Sequence, residues 1–158
     1  MEENLCGYKV RSACRSDVKQ IAELERICFS FPMSEENVEK FLFGEHSLAF
    51  VCYEEKDEHS VCAYCGAICV LDEAQILNVA TSPQHRRKGL GRLVVQALIV
   101  SAEQKGIDSI TLEVRETNAV AQNLYKSLGF YEIGMIKKYY SKPTENALIL
   151  KLDIKNKE

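Results

Sequence analysis

The sequence lacks a long hydrophobic run and lacks any excess of positive charge. Its strongest apolar stretch, residues 93–100, is interrupted by Gln96 and has the pattern of a helix face, whereas a membrane span needs about 20 apolar residues. The net charge of −3 provides no overall basic field for a nucleic acid backbone. We therefore expect neither membrane insertion nor direct binding of nucleic acid.

The seven cysteines lack the features of a disulfide framework. Their number is odd, they lie within apolar segments, and the acidic residues 1–4 do not resemble the basic start of a secretory signal. These features predict free thiols and a cytoplasmic protein.

Cys62, Cys65 and Cys69 have a spacing that superficially suggests a metal site. Side chains alternate along a strand, so Cys62 is expected on the face opposite the other two cysteines, and no nearby second pair completes a tetrahedron. We interpret the three as buried structural cysteines and predict no metal.

The three histidines are given no catalytic role. His85 lies beside a basic turn and could touch a phosphate, but no partner that fixes its tautomer can be read from the sequence, so a surface position is favoured. His46 and His59 are assigned to solvent-exposed loops.

The pattern of hydrophobic residues predicts one domain over residues 1–154 and a short tail over residues 155–158. The predicted element order is β-α-α-β-β-β-α-β-α-β-β, an α+β fold with a mixed, mostly antiparallel sheet of about seven strands and helices on both faces. Crossovers after residues 105 and 128 are expected to build its parallel part. The predicted strands are residues 8–11, 47–53, 60–71, 74–80, 109–115, 130–136 and 147–154.

A basic, glycine-containing turn at residues 86–91 lies between a predicted strand and a long predicted helix, residues 90–105. Glycines let the backbone turn closely, and the unpaired amides at a helix N-terminus attract anions, so this turn is typical of a phosphate site. A glycine loop with solvated arginines is the structural alternative. A dinucleotide fingerprint would need a third glycine in place of Val94, and the Gly-Lys-Ser/Thr ending of a P-loop is absent.

A carboxylate and a phenol form a second pattern. Glu113 lies near the end of a predicted strand, and Tyr125 lies on the helix that follows. A general base could take a proton from an ammonium group and a general acid could give one to a thiolate, the two proton transfers needed for acyl transfer to an amine. The alternative is a surface glutamate paired with Arg115 and a tyrosine packed by its ring.

Together these patterns resemble a known family. Arg86-x-x-Gly89-x-Gly91 resembles the coenzyme A motif of the GNAT superfamily (Gln/Arg-x-x-Gly-x-Gly/Ala), with the usual strand before it and helix after it. From residue 31 to about residue 150 the chain is similar to the RimI-type ribosomal-protein-alanine N-acetyltransferases of that superfamily. The matching segments are Phe31-Pro32-Met33-Ser34-Glu35, Leu71-Asp72-Glu73-Ala74, Asn78-Val79-Ala80, Leu112-Glu113-Val114-Arg115, Asn118-Ala119, Leu124-Tyr125-x-x-Leu128-Gly129-Phe130 and Tyr139-Tyr140.

The resemblance implies the GNAT fold, acetyl-coenzyme A as the cosubstrate and a role for each matching residue. Glu113 would be the base and Tyr125 the acid in a direct attack by the amine, without an acyl-enzyme. The cofactor-binding residues implied are Val79, Ala80 and Thr81 for the acetyl-pantetheine arm, Arg87, Lys88, Gly89, Leu90, Gly91 and Arg92 for the pyrophosphate, and Asn118.

The implied acceptor is the N-terminal alanine of a small-subunit ribosomal protein, bound as a peptide. Met33 stands where the family usually has tryptophan, on the presumed peptide side. Lysine side chains or small amines are alternative acceptors, and a non-catalytic acetyl-coenzyme A binding module is an alternative of another class. The oligomeric state is left open between a monomer and a weak dimer.

Overall fold

The computed structural model describes residues 7–154, so the expected tail at residues 155–158 lies outside the described residues. Seven strands form one sheet in the order β1-β2-β3-β4-β5-β7-β6. The strands are β1 (Tyr8–Ser12), β2 (Ser47–Glu54), β3 (Asp57–Val70), β4 (Glu73–Thr81), β5 (Ser109–Arg115), β6 (Tyr131–Tyr140) and β7 (Glu145–Asp153). The helices are α1 (Val18–Cys28), α2 (Glu35–Leu42), α3 (Leu90–Gln104) and α4 (Ala119–Ser127), with short 3-10 turns at Arg15–Asp17 and Pro83–His85.

The predicted element order and α+β class are confirmed, but one expected parallel pairing is wrong. β4 and β5 are parallel, as the crossover through α3 requires. β6 does not join β5 after α4, because β7 inserts between them and pairs antiparallel with both. Within residues 7–154, the sheet therefore contains a single parallel pair, β4 with β5.

Hydrophobic residues form two clusters, one on each face of the sheet. α1 and α2 cover one face, where Ile21, Val38 and Tyr64 are fully buried. The long helix α3 covers the other face with Val94 and Leu98 at the centre of its contacts. Helices on both faces were predicted, and no helix among residues 7–154 has the length and hydrophobicity needed to cross a bilayer.

Among the register irregularities of the sheet, one bulge in β4 and one in β3 change the direction of side chains near the site. In β4, Leu77 is an extra residue, since Ile76 pairs with Ala67 and Asn78 with Gly66. Ile76 therefore packs on the α3 side, whereas Ala80 packs on the α1 and α2 side.

In β3 the extra residue is Cys62, since Cys52 pairs with Ala63 and Tyr53 with Val61. Cys62 and Cys65 pack into the same cluster on the α3 side. The predicted placement of Cys62 opposite Cys65 is wrong, because simple alternation holds only in a strand without a bulge.

Candidate active site

The sheet opens into a wedge between β4 and β5. The two strands pair only where residues 73–76 face residues 109–112. Beyond that point β4 continues to Thr81 along β3, and β5 continues to Arg115 along β7. On the side that faces the wedge, the backbone of residues 77–81 has no strand partner among the described residues, so its polar groups are available to a ligand, apart from the Thr81 carbonyl, which accepts a hydrogen bond from Arg86.

The basic turn lies at the end of β4 and leads into α3. Arg87 and Gly89 have positive φ angles of 65° and 79°. Leu93 donates to the carbonyl of Gly89, and no side chain in the described part of the chain caps the helix. The N–H groups of Leu90, Gly91 and Arg92 therefore precede the helix's own hydrogen bonds. Unpaired donors at the positive end of the helix dipole form a receptor for an anion.

The cationic side chains of the turn have different partners. Lys88 donates to the Tyr8 hydroxyl at 3.1 Å, Arg92 donates to the Ser127 hydroxyl, and Arg86 donates to the Thr81 carbonyl at 3.2 Å. Arg87 is exposed and has no ion-pair or hydrogen-bond partner within residues 7–154. Arg87 is therefore the cation of the turn that can meet an incoming phosphate without first losing a contact.

Gly91 leaves space where the turn meets the wedge. A Cβ atom built at Gly91 would lie 3.5 Å from Leu124, 3.7 Å from Thr81 and 4.0 Å from Val79, all ordinary contact distances. The N–H donors of the turn and the Arg87 cation fit the diphosphate of acetyl-coenzyme A, which needs anion-binding amides. The space beside Gly91 and the polar edge of β4 fit its narrow pantetheine arm.

Glu113 lies on the opposite side of the wedge, on β5, and is half-buried. The Tyr139 hydroxyl donates a hydrogen bond to the Glu113 carboxylate, which raises the pKa of Tyr139. Burial, together with the negative charge of Glu113, raises the pKa of Tyr140 to about 12. The carboxylate is thus accompanied by two phenols that stay protonated near neutral pH.

Arg115 does not pair with Glu113, which was the structural alternative considered for this glutamate. Its guanidinium forms an ion pair of 3.2 Å with Glu145 and lies 4.4 Å from the centroid of the Tyr140 ring. The Glu113 carboxylate is therefore left without a cation among the described residues.

Tyr125 on α4 is 7% exposed, and its ring meets the edge of Phe130 at a centroid distance of 5.7 Å. No side chain or backbone group within residues 7–154 forms a hydrogen bond with its hydroxyl. Burial raises the pKa of Tyr125, so the phenol keeps its proton. A buried phenol with an uncommitted hydroxyl can act as a proton donor to a leaving group.

Asn118 has a structural role as the residue that caps α4. Its side-chain oxygen accepts a hydrogen bond from the Ala121 N–H at 3.1 Å. Its contact with a cofactor stays a prediction, and the amide nitrogen remains available for it.

Three features of the structure near the site were not predicted from the sequence. Tyr139 and Tyr140 were noticed only as part of a family match, yet they accompany Glu113. Glu25 on α1, 1% exposed, accepts hydrogen bonds from Tyr64 at 2.5 Å and from Asn78 at 2.6 Å, so it ties α1 to β4 just after the bulge. These contacts join residues that are distant in sequence, so local sequence patterns do not predict them.

The third missed feature is the environment of His85. It is not a free surface histidine, because its side chain is 17% exposed and contacts both Tyr8 and Glu54. His46 and His59 are exposed as expected, although His59 lies in β3 rather than in a loop.

The fold, the wedge and the anion-binding turn define an acetyltransferase, and the chain belongs to the acetyltransferase (GNAT) family, whose model matches residues 18–130. Acetyl-coenzyme A is accordingly its acetyl donor. The expected family is thereby confirmed.

Two bacterial proteins and a crystal structure are similar to almost the whole chain. The [ribosomal protein bS18]-alanine N-acetyltransferase of Salmonella typhimurium is 35% identical over 88% of this chain and 93% of its own. The Escherichia coli protein of the same name is 34% identical over the same shares. The crystal structure of the ribosomal-protein-S18-alanine N-acetyltransferase from Escherichia coli superposes with a TM-score of 0.83, covering 93% of this chain and 94% of that chain.

Proposed function

We propose that this protein transfers the acetyl group of acetyl-coenzyme A to the N-terminal α-amine of alanine in ribosomal protein S18. The observation that supports it most is the wedge between β4 and β5, with the anion-binding turn on one side and Glu113 on the other. The acceptor rests on relatives of that name that match about nine tenths of the chain.

The binding steps follow from the turn and the strand edge. The N–H groups of Leu90, Gly91 and Arg92 bind the pyrophosphate, with added charge from Arg87 and Lys88. The backbone of Val79, Ala80 and Thr81 holds the pantetheine arm, and an N–H near Val79 polarises the thioester carbonyl. Holding both reactants in one wedge replaces a bimolecular encounter by a reaction between aligned groups.

The chemical steps are two proton transfers. Acetyl-coenzyme A supplies an activated acyl group with a thiolate as leaving group. Glu113 takes a proton from the α-ammonium group, directly or through one water molecule, and so produces the neutral amine that attacks. Burial raises the pKa of Tyr125, so the phenol is still protonated when the C–S bond breaks, and it gives its proton to the departing thiolate. The proton that the attacking nitrogen loses as the amide forms restores the Tyr125 phenol, directly or through water.

The acceptor preference has a chemical basis as well as a family basis. A peptide α-amine has a pKa of about 7.7 to 8.0, whereas a lysine side chain has a pKa of about 10.4. A single carboxylate therefore produces the neutral α-amine far more readily near neutral pH. Glu113, without a cation partner, is suited to this task.

The test is a competition between three peptides of the S18 N-terminal sequence, incubated with acetyl-coenzyme A and analysed by mass spectrometry. One begins with a free alanine, the second has the same sequence with a blocked N-terminus, and the third is blocked and carries an internal lysine. We expect acetylation of the free alanine peptide alone. Preference for the blocked lysine peptide would refute the α-amine assignment, and binding of acetyl-coenzyme A without any transfer would identify a non-catalytic module.

A further inference from the structure

Outside the wedge, three metal-binding side chains converge where β2, β3 and the turn after β4 meet. They are Glu54, Cys62 and His85, the Glu–Cys–His cluster, and their ligand atoms all lie within 4.8 Å of one another. The cluster lies on the β3 side of β4, whereas Glu113 lies on the β5 side. Acetyl transfer therefore does not account for it.

We propose that the Glu–Cys–His cluster binds a zinc ion through the Glu54 carboxylate, the Cys62 thiolate and the His85 Nε2 atom. Nitrogen, oxygen and sulfur ligands around tetrahedral zinc are separated from one another by about 3.4 to 3.6 Å. His85 Nε2 and the Glu54 carboxylate are 3.4 Å apart. Since 4.8 Å is the upper limit of the separations, the remaining ligand atoms would need to approach one another by about 1.4 Å at most.

The bulge in β3 is what brings the cysteine into this cluster. As the extra residue in the strand, Cys62 turns its side chain to the α3 side. Its carbonyl accepts a hydrogen bond of 2.8 Å from the Ser82 N–H, and Ser82 in turn accepts from the His85 N–H at 2.9 Å. The backbone itself thus holds the 3-10 turn and its histidine over the bulge.

The orientation of the imidazole suits metal binding. His85 Nδ1 is 2.9 Å from the Tyr8 hydroxyl, which fixes the ring with Nε2 towards Glu54 and Cys62. A ligating histidine needs such a partner on its other nitrogen to hold the tautomer and the ring plane. Lys88 donates to the same hydroxyl at 3.1 Å, so the Tyr8 oxygen is itself held in place.

Charge and access favour a divalent ion. One thiolate and one carboxylate balance its two positive charges, and the thiolate selects zinc over magnesium or calcium. Cys62 is 1% exposed, but Glu54 and His85 line a pocket open to solvent, through which an ion can enter and a water molecule can complete the tetrahedron. Lys56 forms an ion pair of 3.3 Å with the Glu54 Oε2 atom, whereas His85 Nε2 faces the Oε1 atom, so the oxygen nearer the cluster is not the one that Lys56 holds.

The position of the site links it to the anion-binding turn. His85 directly precedes Arg86, so a bound ion ties the start of the turn to the hairpin of β2 and β3. The ion takes no part in acyl transfer.

The test uses the full chain, reduced and freed of metal with a chelator, and Co²⁺ as a spectroscopic probe. We expect one equivalent of Co²⁺ to bind with a thiolate-to-cobalt charge-transfer band, and Zn²⁺ to displace it. Cys62→Ser should abolish the band. Glu54→Gln and His85→Gln should each weaken Zn²⁺ binding by about tenfold or more. Loss of a residue that only hydrogen-bonds to a metal ligand already costs about tenfold, so loss of a ligand itself should cost at least as much.

Matched controls come from the same region of the chain. Glu55→Gln, His59→Gln and Cys69→Ser replace neighbours of the same residue types that lie outside the cluster, and each should leave the band and the Zn²⁺ affinity unchanged. Circular dichroism verifies that each variant folds. If Cys62→Ser does not fold, the Zn²⁺ affinities of Glu54→Gln and His85→Gln test the proposal instead. A wild-type protein without the band, a band retained by folded Cys62→Ser, or unchanged affinity in both amide variants would overturn the proposal.

Discussion

Two tyrosines in the region of the wedge have opposite surroundings. Tyr125 is buried with an uncommitted hydroxyl, whereas Tyr139 is half exposed and donates to the Glu113 carboxylate. The pKa of each is raised, the first by burial and the second by that hydrogen bond. Both keep their protons near neutral pH, but only Tyr125 has one that is free to be given to a leaving group.

Tyr125→Phe is expected to fold, to bind acetyl-coenzyme A normally and to turn over at least about 100-fold more slowly, because only the transferable proton is removed. Steady-state kcat and KM for acetyl-coenzyme A measure this, with the chemical step shown to be rate-limiting. Tyr131→Phe is the control, since Tyr131 is exposed on β6 and contacts Asp153. Wild-type kcat in Tyr125→Phe would mean that another group, with Tyr139 the first to test, supplies the proton.

Glu113→Gln is expected to lower kcat/KM for the alanine peptide by about 10²- to 10⁴-fold, since the amide cannot accept the ammonium proton. Part of the loss should be recovered as the pH is raised through the pKa of the α-amine, about 7.7 to 8.0, where the neutral nucleophile forms without a base. Initial rates across that pH range measure it. Glu132→Gln, an exposed carboxylate on β6, serves as the control, and equal rates for wild type and Glu113→Gln would remove the base assignment.

Among the elements, α3 combines a hydrophobic body with an unpaired N-terminus. The sequence predicted both ends of this helix within one residue, because Gly89 and Gly106 adopt the positive φ angles that glycine permits. Gly91 differs from them, since it has no positive φ and a Cβ would meet only ordinary contacts. The free protein therefore does not need a glycine at position 91, and we expect the need for one to come from the bound ligand.

Gly91→Ala is accordingly expected to keep or slightly raise the stability of the free protein, by up to about 1 kcal/mol, because alanine favours a helix more than glycine does. The added methyl group projects towards Val79, Thr81 and Leu124, where we propose that the pantetheine arm binds, so affinity for acetyl-coenzyme A should fall. Calorimetric titration and thermal unfolding measure the two effects. Gly134→Ala adds a comparable Cβ, 3.7 Å from Ile149, and should not alter affinity; unchanged affinity in Gly91→Ala or Gly91→Val would argue against this binding mode.

For the strands, local patterns predicted positions well and side-chain direction poorly. The bounds of β5 were predicted without error, since its polar and apolar residues alternate regularly. At Leu77 and Cys62 a bulge reverses the alternation of side chains between the two faces of the sheet. A bulge depends on how the neighbouring strand pairs, and a local sequence pattern carries no information on that pairing. The hairpin between β2 and β3 is also tighter than the predicted loop, as Glu54 and Asp57 already pair.

For the whole molecule, the order of elements was predictable and their arrangement was only partly so. The basic turn and Glu113 could be read from residue types and the family match, but the wedge that separates them results from the limited pairing of β4 and β5. The place of β7 between β5 and β6 likewise depends on long-range packing. Chain order alone does not specify which strands become neighbours.

The stability of the molecule at acidic pH should depend on a buried carboxylate near the start of α1. Asp17 is 1% exposed; burial alone would raise its pKa, but hydrogen bonds from Arg11 at 2.7 and 2.9 Å and from the Cys14 N–H at 2.8 Å lower the pKa below its usual value. A lowered pKa in the folded state gives a stabilisation that is present above the unfolded value of about 3.9 and is lost as the pH falls below it.

Asp17→Asn is expected to lower the free energy of unfolding by about 2 to 4 kcal/mol near neutral pH, because Arg11 loses its charged partner. The difference from wild type should shrink as the pH falls below about 3.9, because the carboxylate of the unfolded wild-type chain then takes up a proton, and it should be smallest below the lowered pKa of the folded state, where Asp17 itself is protonated. Urea unfolding at both pH values measures it. Glu39→Gln, in the exposed pair with Arg15, should change stability by less than about 1 kcal/mol, and a pH-independent effect of Asp17→Asn would contradict the electrostatic explanation.

The short stretch of pairing between β4 and β5 also has a mechanical consequence. It is the only strand-to-strand connection, among the described residues, between the half of the sheet formed by β1 to β4 and the half formed by β5 to β7. The two halves also share the hydrophobic cluster on the α3 side, so relative motion between them is expected at the end where β4 and β5 are unpaired, with the short paired stretch as the hinge. A cosubstrate that fills the gap touches both halves at once, so binding the acetyl donor should join them into a single unit and restrict the shape that is offered to the acceptor peptide.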